Sequence, residues 1–173
     1  MLTIILGTVY SGKNEVLNKL FLKHNSGNKI KIFNKKTDRS IYCKNKYKSI
    51  VLNDTLLFSK LTFEHLLEFD LIGFIDLQFF DIYVTDLILK LVEKGKNVII
   101  TSWNNDLEGK LPKQLIELLP KAERIYHLVS MCFDCGKLEG LYTIKEQEIK
   151  DYDYYLPVCR KCYNERRLKN NVS

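Results

Sequence analysis

Apolar positions recur along the chain in two alternating rhythms. Leu2 to Leu6 is an apolar run that stops at Gly7; after a loop, Val16, Leu17, Leu20 and Phe21 recur at helical spacing, which predicts strand, loop and helix. Lys29 to Phe33 alternates polar and apolar residues and Ser49 to Leu52 is a second short apolar piece, so two strands are expected on either side of a lysine-rich turn region. Thr62 to Phe69 predicts a helix with Thr62 as its N-cap, and Leu71 to Ile75 a buried strand ending near Asp76. Residues 81 to 94 set Ile82, Val84, Leu87, Leu89, Leu91 and Val92 on a mostly apolar helix that Gly95 ends. Asn97 to Thr101 reads as a further buried strand and Trp103 to Lys110 as a polar loop. Pro112 to Leu119 reads as a helix opened by its proline, and Arg124 to Ser130 as a last strand. Strands alternating with helices imply an α/β fold with a parallel sheet and right-handed crossovers. From Met131 onward the rhythm gives way to short segments between cysteines, which divides the chain into an α/β core, residues 1–130, and a small lobe with a basic tail, residues 131–173.

Composition narrows this picture. With 173 residues, 46% hydrophobic and 28% charged, the chain is ordinary globular material, long enough for one sizeable core and an appendage. The longest apolar stretches, such as Leu71 to Ile75, are too short to span a bilayer, and Met1 to Leu6 carries no basic flank, so a cytoplasmic protein without a membrane partner is expected. The formal charge of +6 concentrates in Lys29 to Lys48 and Arg160 to Lys169. Such clusters suit a phosphate ligand or nucleic acid, but lysine and asparagine abound throughout and background composition explains them as well.

Three motifs carry chemistry. Gly7-Thr8-Val9-Tyr10-Ser11-Gly12-Lys13-Asn14 follows a strand, opens a helix and fits G-x-x-x-x-G-K, the phosphate-cradling P-loop, in all but its last position. Glycines let backbone amides turn toward a phosphate, the helix start adds partial positive charge, and Lys13 neutralises the β and γ oxygens. Asn14 stands where a hydroxyl normally meets Mg²⁺. Cys132-x-x-Cys135 and Cys159-x-x-Cys162 have the spacing of two knuckles that give four thiolates to one structural Zn²⁺, with a redox pair or chance spacing as the alternatives; four thiolates leave no open position for a catalytic water. Cys43, the fifth cysteine, reads as an ordinary thiol. Ile75-Asp76-Leu77-Gln78-Phe79-Phe80 ends a central strand, where an acidic residue binds Mg²⁺ or activates a nucleophile.

In this order the motifs make the chain resemble the zinc-containing, cellular-type thymidine kinases. The resemblance runs from the P-loop through Gly73 to Tyr163. Its specific pieces are Gln78-Phe79-Phe80, Leu118-Leu119-Pro120-Lys121-Ala122-Glu123, Cys132-Phe133-Asp134-Cys135-Gly136 and Tyr155-Leu156-Pro157-Val158-Cys159-Arg160-Lys161-Cys162-Tyr163. It implies a P-loop NTPase-like parallel sheet flanked by helices, a zinc-anchored lasso over the nucleoside, ATP with Mg²⁺ as donor, thymidine or a related nucleoside as acceptor, and a homo-oligomer, tetramer or dimer. Carried over by residue, it implies that Gly7, Ser11, Gly12, Lys13 and Asn14 hold the nucleotide. It further implies that Gln78, Phe79, Phe80 and Tyr155 line the nucleoside site and that Asp76 stands in place of the catalytic glutamate.

The departures are specific. Ile75 occupies the family's aspartate position, Leu107 that of an aromatic residue near the base, and Lys150-Asp151 that of a glycine pair in the lasso; Asp38 and Arg39 are adjacent where the family separates the two by one residue. The expectation is ATP-dependent phosphorylation of thymidine to dTMP in nucleotide salvage. The alternative is a catalytically inactive paralogue that binds a nucleotide or a partner subunit. A nucleic-acid-binding zinc module, suggested by Arg160 to Lys169, ranks below both, because that tail reads equally as a solvated helix.

Overall fold

A computed structural model of the chain describes residues 1–24, 28–35, 50–52, 63–149 and 152–170. Asp38, Arg39, Cys43, Ser49, the Thr62 cap and the Lys150-Asp151 pair lie outside the described residues. Six strands, β1 (Leu2–Gly7), β2 (Ile30–Lys35), β3 (Ile50–Leu52), β4 (Leu71–Ile75), β5 (Asn97–Ser102) and β6 (Arg124–Leu128), form one sheet in the order β3-β2-β4-β5-β1-β6. Every pairing in it is parallel. The main helices are α1 (Lys13–Lys23) and α3 (Tyr83–Glu93), with single turns at α2 (Phe63–Leu66) and α4 (Lys113–Ile116). A separate antiparallel hairpin, β7 (Tyr142–Ile149) and β8 (Tyr152–Val158), precedes the C-terminal helix α5 (Arg160–Asn170).

The period of two along each central strand divides the core into two layers. Leu2, Ile4, Ile72, Phe74, Val98 and Ile100 face α3, where they meet Val84, Ile88 and Leu91. Ile5, Leu71, Ile75 and Ile99 face the other way and pack on Leu17 and Phe21 of α1. Cys132, Val158, Cys159, Cys162 and Tyr163 form a third, small cluster beneath the hairpin. Among the described residues no helix is long and apolar enough to cross a membrane.

Local chemistry explains where elements stop. Gly95, at φ 76°, ends α3 as expected: its N–H donates to Val92 O at 2.9 Å and that of Lys96 to Leu91 O at 3.0 Å, the two bonds of a Schellman turn. The helix expected over 112–119 is instead α4 followed by a 3₁₀ turn at Leu119–Lys121. Pro120 has no N–H to continue the ladder and disfavours a helical Leu119. Pro112, at ψ 132°, precedes the helical residues rather than forming the first of them. The helix expected over 62–69 is reduced to one turn, because Asp70 already ties the chain to β2: its N–H donates to Lys29 O, and Oδ2 accepts from Lys29 N at 2.9 Å. The last strand ends at Leu128, and Ser130 leaves the sheet to bridge Gly140.

Gly73 lies where α1 crosses β4. A Cβ there would stand 2.7 Å from Cζ of Phe21 and 3.4 Å from Cγ1 of Ile32, inside a packed layer. Gly73→Ala is expected to lower stability by about 1–3 kcal/mol through overpacking, read as an earlier urea midpoint; an unchanged midpoint would mean that α1 is not tightly seated on the sheet.

Candidate active site and metal centre

The carboxyl ends of β1, β4 and β5 lie side by side, and each is followed by a turn with a defined geometry. Ligands of open α/β sheets bind at this edge. After β1, the chain needs Gly7 because a Cβ would lie 2.3 Å from Ser11 Oγ and 3.0 Å from Leu128 O on β6. Gly12 adopts φ 83° and sits immediately before α1, a left-handed position that suits glycine. Lys13 is the first residue of α1, with 7% of its surface exposed, and its Nζ donates to Thr8 O at 2.7 Å. The lysine thus folds back over the loop that it follows. Asn14 occupies the next position in the first turn of α1.

After β4, Asp76 takes a left-handed conformation, φ 55° and ψ 58°, sparsely populated for a residue with a Cβ. Its N–H donates to Thr101 Oγ1 at 2.9 Å, which ties the turn to β5. Ile75, by contrast, is fully buried against α1. Gln78 holds the same two strand ends together: its Oε1 accepts from Ser102 Oγ and from the backbone N–H of Trp103, both at 3.1 Å. Phe80 packs edge-on against Phe74 in the core, whereas Phe79 meets Trp103 edge-on at 5.2 Å. Trp103, which opens the loop after β5, continues the contact outward to Tyr155 of β8, also at 5.2 Å. An aromatic chain therefore joins the strand ends to the hairpin. Leu107 is 40% exposed, and its carbonyl accepts from the Tyr163 hydroxyl at 3.3 Å.

The four C-terminal cysteines come together as their spacing predicts. Their sulfurs lie within 4.8 Å of one another, those of Cys135 and Cys159 at 3.8 Å. A tetrahedron with Zn–S bonds of about 2.3 Å separates its sulfurs by about 3.8 Å. Burial raises the Cys132 thiol, but N–H donation from Cys159 and Cys135 outweighs it and brings the pKa to about 7. Burial and the neighbouring sulfurs of Cys159, Cys132 and Cys135 push Cys162 the other way. So close a set ionises fully only around a cation. The donor chemistry, the spacing and the burial of three of the four residues fit a structural zinc ion.

Arg166, which sequence reasoning assigned only to a basic tail, braces this centre. Its Nε and Nη2 grip Asp134 of the first knuckle at 2.8 and 2.6 Å, and Nη1 donates to Glu146 of β7 at 2.9 Å. The guanidinium holds the Asp134 carboxyl below its ordinary range, and the two carboxylates raise Arg166 in turn. The signal in the sequence was a helical position four residues beyond Cys162, which had no reader without the fold. Asn104 and Asn105 were likewise unforeseen: both side-chain amides donate to Leu141 O, at 2.6 and 2.8 Å, and dock the start of the hairpin on the loop after β5.

Comparison with known proteins gives this geometry its family. The thymidine kinase family model matches residues 1–163. A thymidine kinase of Choristoneura fumiferana entomopoxvirus is 34% identical over 131 residues, 70% of this chain and 65% of that protein, so the match spans slightly less than two thirds of that relative. A thymidine kinase of Amsacta moorei entomopoxvirus is 30% identical over 93% of this chain and 96% of its own length. Thymidine kinase 1 of Dictyostelium discoideum is 29% identical over 97% of this chain and 79% of its own. With a match that takes in the β1 loop, the strand ends and both cysteine knuckles, the chain belongs to the thymidine kinase family.

Proposed function

We propose that the chain transfers the γ-phosphoryl group of ATP to the 5′-hydroxyl of thymidine, giving dTMP for nucleotide salvage, and that a zinc ion on Cys132, Cys135, Cys159 and Cys162 holds the nucleoside-covering lobe. The observation that carries this reading is the convergence, at one sheet edge, of a buried lysine opening α1 and a carboxylate at the end of β4, with a hairpin tyrosine joined to the turns after β4 and β5 through Trp103.

Phosphoryl transfer needs positioning and charge neutralisation more than covalent chemistry. Lys13 leaves the Thr8 carbonyl to meet the β and γ oxygens, while the first turn of α1 supplies backbone N–H groups to them. Asp76 accepts the proton of the attacking hydroxyl, its carboxylate aimed by the left-handed turn and by the Thr101 bond. Magnesium bound with the nucleotide would neutralise phosphate charge, and among the described residues Asp76 and the Asn14 amide are oxygen donors that could hold it. Tyr155, backed by Trp103, closes the nucleoside side, and Gln78 fixes the β4 and β5 turns between the two substrates.

The burial of Ile75 favours a second reading. The residue at the family's aspartate position is sealed in the core and unavailable to metal or substrate, which suits a paralogue that binds nucleotide or a partner without turnover.

Zinc-loaded protein is expected to form dTMP from magnesium ATP and thymidine. Lys13→Ala and Asp76→Asn should each lower kcat/KM by about a hundredfold or more. Binding of both substrates without any dTMP would establish the second reading instead.

The metal centre makes its own prediction. Protein purified with zinc should carry one ion per chain by elemental analysis, and Cys162→Ser should abolish stoichiometric retention. Arg166→Gln keeps the four ligands but leaves Asp134 and Glu146 unpaired, so it should weaken the lobe by about 1 kcal/mol and speed zinc transfer to a chelator. Unchanged transfer in Arg166→Gln would remove the brace from this account.

A further inference from the structure

Two hydroxyls to which the motifs assign no role, one within the β1 loop and one just after β6, join that loop to the metal lobe. Thr8 is fully buried and Ser130 nearly so, and their oxygens lie 2.7 Å apart across 122 positions of chain. Both also reach Gly140 O, Thr8 Oγ1 at 3.1 Å and Ser130 Oγ at 3.4 Å. Gly140 N donates to Ser130 O at 2.8 Å, closing the base of the first cysteine knuckle. The approach excludes any side chain at Gly140: a Cβ would stand 2.6 Å from Ser130 Oγ and 2.8 Å from Ser130 O. The residue that makes this contact is also the one whose carbonyl holds Lys13.

We infer that Thr8 and Ser130 are positioning residues that fasten the Gly7–Asn14 loop to the base of the metal lobe, so that the lobe sets the geometry in which Lys13 meets a nucleoside triphosphate. The inference rests on the nucleotide-binding reading of that loop. Its physical basis is local. A backbone loop holds a phosphate only when its N–H groups and lysine are already aligned, and the aligning contacts here come from residues 130 and 140 rather than from the sheet alone. Coupling of this kind acts in both directions: what steadies the loop also steadies the base of the knuckle.

The pair of hydroxyls permits clean variants. Thr8→Val keeps the shape and removes the bridge, Thr8→Ser keeps the bridge, and Ser130→Ala leaves Thr8 with Gly140 O as acceptor. Calorimetric titration of the zinc-loaded proteins with magnesium ATP should find affinity about tenfold weaker for Thr8→Val and for Ser130→Ala. The double variant should be weaker by less than the product of the two single effects, because both substitutions remove the shared Thr8–Ser130 contact. Thr8→Ser should stay within about twofold of the parent. In parallel, a chromogenic chelator should take zinc several-fold faster from Thr8→Val and Ser130→Ala than from the parent or Thr8→Ser, a readout that needs no turnover. Parent protein that binds magnesium ATP, with both variants binding it equally well, would overturn the inference while leaving the kinase reading intact. Equal zinc-transfer rates would overturn the link to the lobe. Parent protein that does not bind magnesium ATP would overturn the nucleotide reading itself.

Discussion

The convergence of four sulfurs to within 4.8 Å is the constraint on which the candidate site depends. The lobe that carries them has only a small apolar cluster of its own, built largely from the cysteines themselves with Val158 and Tyr163. So little buried surface does not hold an eight-residue strand and its partner in place; a metal ion on the four cysteines would, by joining the knuckle after β6 to the start of α5. With that junction closed, Arg166 spans knuckle and hairpin, Asn104 and Asn105 catch Leu141, and Tyr155 comes to rest on Trp103. The parallel sheet supplies the other half. Its two apolar layers bury the central strands on both faces, so that only their carboxyl ends are left to present chemistry.

The division between what could be read along the chain and what could not follows the range of each interaction. Local signals were legible: the apolar runs of β1, β4 and β5, the Gly95 stop of α3, and the paired C-x-x-C spacings. Pro120 is visible too, yet the apolar periodicity around it masks its effect in splitting the helix after Pro112. Contacts between distant segments were not legible. Nothing near Thr8 announces Ser130, and Arg166 looked like one more cation in a basic tail until the fold set it between Asp134 and Glu146. Trp103 has no motif, and its position between Phe79 and Tyr155 emerges only from the meeting of sheet edge and hairpin.

The departures from the family pattern acquire physical meaning in the same way. Ile75 belongs to the core layer under α1, so the position for which the resemblance implies an acidic residue serves packing here. Asp76 retains a carboxylate at the strand end in a conformation that requires the support of Thr101. Leu107 stands where the resemblance implies an aromatic ring, and its carbonyl serves Tyr163, which stacks on Tyr142 at 4.3 Å and helps to seat the hairpin. The strand ends and the hairpin thus keep their mutual contacts at positions where the residues differ from those that the resemblance implies.

The most direct test of that account is calorimetric titration of zinc-verified protein with thymidine, alone and in the presence of magnesium ADP. The account predicts saturable binding of one thymidine per chain, accompanied by a change in the emission of Trp103, the chain's single tryptophan, as Tyr155 is repositioned. Absence of thymidine binding under both conditions would contradict it and would mean that the sheet edge and hairpin serve a different ligand.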